Sequence, residues 1–326
     1  MEDKFKKLHQ LIKKSKTAAL VGHIRPDGDC IGSCIAMKLA LQQLGYSNVD
    51  VYIDGSISSN FWYMQRSADI ITSMPEEPVK YDLLITLDCA DENRLGIFTK
   101  LRSQSKSVVC IDHHQNTMVE ADIMISEPTY PSAGAIIYEY FKFAGIEVTK
   151  EIATALYTSV ASDTGCFMFS NTTPSAHRIA ADLMEAGIDI EEINYYNFRV
   201  YQHENIPALV HVLKNIKLFS NNQIAIIHLP YKTIKKLKID GDLRHKFQKY
   251  AENLEGVAAS AAISERERGT YHISLRSHGD INVAKVSEYF GGGGHKNAAG
   301  FQLKGKYRKV LSELLVELEK LLGNAS

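Results

Sequence analysis

Residues 17–45 read TAALVGHIRPDGDCIGSCIAMKLALQQLG. The first part, 17–24 (TAALVGHI), is almost unbroken in apolar residues, which predicts a strand covered on both faces. The period then changes. Over 31–44 the residues Ile31, Ile35, Leu39 and Leu41 fall near one helical face, and Gly45 stops the helix. Further apolar runs at 49–53, 82–88 (DLLITLD) and 107–112 (SVVCID) predict three more strands. Helices are expected at 132–144, 151–161 and 175–186. Strands separated by helices imply an α/β fold with a parallel sheet and right-handed crossovers.

Beyond this region the pattern changes. From about 189 to 215 the chain is helical in period but crowded with Tyr and Asn, and reads as a connector. Its aromatic residues Tyr195, Tyr196, Phe198 and Tyr201 read as core ahead of a dimer surface, which leaves a homodimer open. Strands follow at 215–219 and 223–229 around Ser220-Asn221-Asn222, then a helix near 243–254 and strands at 257–264 and 270–276. Helical periods return at 281–289 and 308–322. The expected division is 1–190 for an α/β domain, 191–215 for the connector and 216–326 for a smaller α+β domain, with the active site in the cleft between the two.

Composition narrows the function classes. A chain of 326 residues carries about two domains. The 37 Lys+Arg against 38 Asp+Glu leave a net charge of −1, which excludes both charge-driven disorder and the basic footprint of a protein that coats long nucleic acid. A short nucleotide remains allowed. No apolar run approaches the roughly 18 residues of a membrane span, and the N-terminus has no signal-peptide core. The five cysteines are odd in number and contain no CxxC pair, so neither a disulfide framework nor a zinc knuckle is expected. Small buried thiols in a reducing cytoplasm fit better.

The reactive side chains collect at the ends of predicted elements. His23, Asp27 and Asp29 lie in HIRPDGD after the first strand, where open parallel sheets place their ligands. Asp29 alone could be a helix cap, but a cap does not explain a histidine and two carboxylates. Asp88 closes LLITL and is costly to bury unless paired or metal-bound. Asp91, Asn93 and Arg94 follow it. The fourth strand ends in Asp112-His113-His114, and Ser162-Asp163-Thr164-Gly165 follows an apolar helix. These are oxygen and imidazole donors without thiolate, which suits Mn²⁺ or Mg²⁺. There are too many for one ion. Two ions roughly 3.5–4 Å apart would clamp an in-line displacement at phosphorus. In the second domain GGGGHKNAAG (291–300) stands out, because a glycine run lets backbone N–H groups approach an anion. The bland alternative is a flexible hairpin. Arg276 ends the strand HISLRS and is placed to reach the same segment, whereas Arg266 and Arg268 read as solvated charges in a polar turn.

Together HIRPDGD, LDCAD, DHH, SDTG and GGGGHKNAAG resemble the DHH phosphoesterase family, in the family's order and over nearly the whole chain. The short layout, a DHH domain joined to a DHH-associated domain, is similar to the nanoRNase branch. The resemblance implies one metal held by His23, Asp27 and Asp88 and a second by Asp29, Asp88, His113 and Asp163, both Mn²⁺ (or Mg²⁺), with Asp88 as the bridge. It implies Asp112 as the group orienting the histidines and His114 as the group facing the phosphate. Asp88, Asp112, His114 and Asp163 are thus the catalytic set. Arg94, Arg276, Gly292, Gly293, Gly294 and His295 would bind substrate. The implied reaction is attack of a metal-bridged hydroxide on short oligoribonucleotides or on 3′-phosphoadenosine 5′-phosphate, in the cytoplasm and without a membrane partner. The rival is a soluble cyclic di-AMP or pApA phosphodiesterase on the same scaffold. A pyrophosphatase or a silent nucleotide-binding module fits the motifs less well. Cys30 and Cys89 depart from the family pattern, and thiols so near the metals are expected to make activity sensitive to oxidation.

Overall fold

A computed structural model describes residues 1–65, 68–200, 202–239 and 241–323; at 65, 242, 245 and 295 it describes the backbone alone. The chain forms two compact units, Met1–Val200 and Tyr201–Ser326.

The first unit runs α1 (Glu2–Lys14), β1 (Thr17–Val21), α2 (Gly28–Gln43), β2 (Asn48–Tyr52), α3 (Trp62–Gln65), β3 (Ile70–Ile71), β4 (Tyr81–Leu87), β5 (Ser105–Asp112) and β6 (Ile123–Ser126), then α4 (Ala133–Ala144), α5 (Lys150–Asp163), α6 (Pro174–Glu185) and α7 (Ile190–Asn194). The sheet order is β3-β2-β1-β4-β5-β6, and every neighbouring pair is parallel. The chain fills one side of β1 first, then crosses to β4 and fills the other. The carboxyl ends of β1 and β4 therefore flank the point where strand order reverses, the usual crevice for a ligand. Both faces are covered, as the apolar runs require. Leu20, Leu83, Ile85 and Val109 pack with the helices on one face. Ala19, Val21, Tyr52, Leu84 and Phe98 pack on the other.

Helix packing brings α2 and α5 into close contact. A Cβ on Gly32 would stand 2.3 Å from the carbonyl oxygen of Ala155, and one on Gly134 would stand 2.1 Å from Ser159 Oγ. Only hydrogen at these two positions lets the first turns of α2 and α4 approach α5.

The second unit contains α8 (Ile206–Lys214), β7 (Lys217–Phe219), β8 (Ile224–Leu229), α9 (Tyr231–Lys236), α10 (Gly241–Glu252), β9 (Ala259–Glu267), β10 (Thr270–Ser277), α11 (Ala284–Tyr289), β11 (Gly293–His295), β12 (Ala298–Lys304) and α12 (Tyr307–Gly323). Its sheet, ordered β11-β12-β10-β9-β8-β7, is antiparallel except for the β8–β9 pair. Ser220, Asn221 and Asn222 form the expected turn with φ of 52°, 53° and 68°. The polar turn expected around Arg266 is shorter: β9 runs through Glu267, so Arg266 is a strand residue. The aromatic stretch after 190 is split between a short helix, a π-helical turn (Tyr195–Arg199) and α8. Tyr196 and Phe198 pack against the first core, as expected, but Tyr195 is 45% exposed. Tyr201 lies outside the described residues. Among the described residues no helix is long and apolar enough to cross a membrane.

Candidate active site

The first ligand group forms just past β1. Gly22 has no side chain where a Cβ would meet Cys30 Sγ at 2.4 Å, so the chain folds tightly onto the start of α2. His23 is buried, and its Nδ1 lies 2.8 Å from the Ile24 carbonyl. A carbonyl only accepts, so Nδ1 carries a proton. In the neutral ring Nε2 is then a bare lone pair, 3.2 Å from Asp88 Oδ2 and 3.9 Å from Asp27 Oδ1. A lone pair facing carboxylate oxygens calls for a cation or a shared proton between them. Asp27 also caps α2, accepting from the N–H groups of Asp29 and Cys30 at 3.1 Å each. The cap is thus Asp27, and Asp29 is free to turn inward.

Asp29 is fully buried at the meeting of three helices. Its carboxylate accepts from Ala133 N (2.7 Å) and Gly134 N (3.0 Å) at the start of α4, from Ser33 Oγ (3.0 Å) and from Ser159 Oγ (2.6 Å). These charge-assisted bonds fix its orientation. His113 Nε2 is 3.6 Å from Asp29 Oδ2, 3.6 Å from Asp88 Oδ1 and 2.9 Å from Asp163 Oδ2. Burial disfavours the charged His113 ring, but the hydrogen bond to Asp163 and the surrounding carboxylates prevail and push it up to about 10. Burial, then the Asp29 charge, push Asp163 up to about 7 against the hydrogen bond from His113.

Asp88 sits between the groups, directly after β4, in the left-handed region at φ 54°. Burial, then the charges of Asp29, Asp27 and Asp163, push its carboxyl well above the usual range. Its Oδ1 is buried with no hydrogen-bond partner. Asp112 closes β5 and accepts from His113 N (2.9 Å), His114 Nδ1 (2.7 Å) and Thr117 Oγ1. Burial opposes its charge, but those bonds outweigh it and hold Asp112 below the usual carboxylate range. His114 Nδ1 is thereby fixed.

Ligand atoms gather within 4.8 Å of one another in three groups: His23, Asp27 and Asp88; Asp29, His113 and Asp163; and Asp88, His113 and His114. The third adds His114 to the expected ligand positions. Hard oxygen and imidazole donors, four converging carboxylates and an orphaned Asp88 oxygen fit divalent cations. The nearby thiols are protected. Burial holds Cys30 well above its usual range and pushes Cys89 up to about 12; Cys30 Sγ accepts from His23 N at 3.3 Å. Burial thus disfavours the thiolate, the form most readily oxidised, at both positions.

The expected substrate residues fall in both units. Arg94 lies next to the first ligand group, since its carbonyl accepts from Ile24 N at 2.7 Å. In the second unit Ser260, Arg276, Ala298 and His295 form one row across β9, β10, β12 and β11. Arg276 Nη1 donates to the Leu275 carbonyl at 2.9 Å, and burial lowers its pKa. The glycine segment is a paired hairpin. A Cβ on Gly292 would meet Gly300 O at 2.4 Å and one on Gly294 would meet Ala299 Cα at 2.4 Å, whereas Gly293 faces open space. The His295 side chain lies outside the described residues. Sequence reasoning missed Ser33, Ser159 and Thr117, the hydroxyls that hold Asp29 and Asp112. Ser33 had a signal, four residues after Asp29 on one helix. Ser159 had none.

The DHH family N-terminal domain model matches residues 17–160, and the DHHA1 domain model matches 231–324. The chain belongs to the DHH phosphoesterase family, and is a hydrolytic enzyme of phosphate esters. Within the family it stands on the NrnA-type branch. It is similar to the bifunctional oligoribonuclease and PAP phosphatase NrnA of Thermus thermophilus, 28% identical over 305 residues, covering 91% of this chain and 89% of the relative. The protein of that name from Mycoplasma pneumoniae is 28% identical over 293 residues, covering 87% and 86%. The solved structure of an exopolyphosphatase-related protein from Bacteroides fragilis shares the fold, with a TM-score of 0.90 at 23% identity over 98% of this chain and 96% of that one.

Proposed function

We propose that this chain hydrolyses short oligoribonucleotides, down to dinucleotides, and 3′-phosphoadenosine 5′-phosphate, with two divalent ions, Mn²⁺ foremost. The observation that carries the reading is the buried Asp88 Oδ1, which has no hydrogen-bond partner, where the ligand groups meet. Leaving a buried carboxylate oxygen without a hydrogen bond costs about 1–3 kcal/mol or more, and a bound cation would remove that cost. His23, Asp27 and Asp88 would hold one ion; Asp29, Asp88, His113 and Asp163 the other. Such ions, when bound, acidify a water and neutralise phosphoryl oxygens. His23 offers Nε2 because Ile24 holds its Nδ1 proton. Asp112 fixes His114 through Nδ1, and in the doubly protonated ring Nε2–H would donate to a phosphoryl oxygen or protonate the leaving ribose oxygen. The names of the relatives support the substrate class.

The test is a turnover panel on the purified protein with and without added Mn²⁺. It contains a dinucleotide, a five-nucleotide RNA, 3′-phosphoadenosine 5′-phosphate, pApA, cyclic di-AMP and pyrophosphate, with Asp88→Ala as control. Metal-dependent turnover of short RNA and the bisphosphate, lost in Asp88→Ala, supports the proposal. Strong preference for cyclic di-AMP or for pyrophosphate overturns it.

A further inference from the structure

The chain leaves α5 through Asp163-Thr164-Gly165-Cys166-Phe167-Met168-Phe169. Gly165, Cys166 and Phe167 have φ of 57°, 58° and 63°, a left-handed run that residues with a β-carbon avoid. The turn is firmly tied. Thr164 Oγ1 accepts from Phe167 N (3.1 Å), and the Thr164 carbonyl accepts from Met168 N and Phe169 N (2.9 Å each). Asn171 Nδ2 donates to the Asp163 carbonyl at 3.1 Å and the Pro131 carbonyl at 3.2 Å.

This strained, rigid turn sends Phe167 inward, stacked on His177 with ring centroids 5.2 Å apart. It sends Met168 and Phe169 outward, 77% and 57% exposed. The Phe169 ring seats on Gly165, where a Cβ would come within 2.4 Å of it. Residues 164–173 include no charged side chain, so the turn offers contact to an uncharged part of a ligand. Two side chains are too few for a protein interface, which needs roughly 800 Å² per partner. They suit one flat ring, and the Gly165 on which Phe169 sits lies two residues after Asp163 of the metal-ligand cluster.

We propose that Met168 and Phe169 form the platform on which a base of the substrate stacks, so that this turn selects nucleotides over base-free phosphate esters. The proposal rests on the phosphoesterase reading above. An aromatic face beside a polarisable thioether grips any base through its π surface, without hydrogen-bond readout. The turn therefore discriminates base from no base, and little among bases.

The experiment uses the full chain with Mn²⁺ and three substrates: a 5′-phosphorylated diadenylate and its two counterparts, each with one base removed. Phe169→Leu keeps an apolar cover on Gly165 but removes the π face, and Phe169→Trp restores it. Phe169→Leu is expected to raise KM for the intact dinucleotide about 5- to 150-fold, the loss of one base stack, with kcat little changed. The counterpart lacking the stacked base should respond less than twofold, and Phe169→Trp should recover the intact substrate. A dinucleotide carrying 2-aminopurine should be quenched on binding to the wild type and not to Phe169→Leu. Equal effects on intact and abasic substrates, or none on either, overturn the platform while the hydrolase reading stands. A change of oligomeric state in Met168→Ala would make the pair an interface and overturn it too. A wild type that turns over neither dinucleotide nor bisphosphate removes the reading and the platform together.

Discussion

Replacing Gly32 by alanine should loosen the metal site without touching a ligand. The new Cβ would stand 2.3 Å from the Ala155 carbonyl oxygen and 3.2 Å from its carbon. A tolerable contact needs about 3.2–3.4 Å, so α2 and α5 must part by roughly 1 Å. The obstacle is helix backbone and cannot rotate away. Overpacking of this kind costs about 1–3 kcal/mol, and a rigid obstacle belongs at the upper end. Alanine returns about 1 kcal/mol through helix propensity. The net loss should be about 2 kcal/mol in the metal-free protein, read from urea unfolding. Asp29 begins α2 and Asp163 ends α5, so the same opening separates two members of one ligand group. Mn²⁺ affinity, measured by isothermal titration, should fall about 10- to 100-fold. A Gly32→Ala protein as stable as wild type that binds Mn²⁺ equally well would refute the coupling of helix packing to the site.

Three further outcomes are expected. Ser159→Ala removes a 2.6 Å bond to the buried Asp29 carboxylate and should cost about 1.5–3 kcal/mol on urea unfolding, with weaker Mn²⁺ binding. The metal-free protein should lose thermal stability as pH rises from 5 to 9. Asp163 at about 7 and His113 at about 10 both lie above their unfolded values, so their stabilisation is full at low pH and disappears as pH rises through those values. Added Mn²⁺ should reverse the trend, because it displaces the same protons; equal melting temperatures at pH 5 and 9 without metal would count against the assignment. Asp112→Asn keeps the shape but removes the charge that His114 Nδ1 and Thr117 meet, and should lower kcat about 10- to 100-fold with the fold intact by circular dichroism.

Much of this was legible in the chain, for physical reasons. The strands β1, β2, β4 and β5 were readable because both faces of a parallel sheet are buried and their apolar runs are nearly continuous. The short strands β3, with two residues, and β6, with four, carry too little pattern to be seen. The amphipathic helix α1, with Phe5, Leu8 and Ile12 inward, was overlooked despite its clear period. The ligand candidates were visible because carboxylates and histidines ending apolar runs are anomalous. What supports them was not, since a serine such as Ser159 in an apolar helix looks ordinary until α4 and α2 are brought against it. The Asp29–Asp27 exchange of cap and inward residue was likewise hidden, because either spacing suits a cap.

The position of Asp163 at the end of α5 also has a consequence for how the chain is made. Every residue of the three ligand groups precedes the second unit, which begins at Tyr201. Domains generally fold as units during synthesis, N-terminal first, at about 5–20 residues per second. The second unit, residues 201–326, therefore takes on the order of ten seconds to translate. The first unit has its own core and a complete ligand set throughout that interval. The candidate ligand groups and the glycine hairpin are therefore completed at separate moments in the life of each molecule.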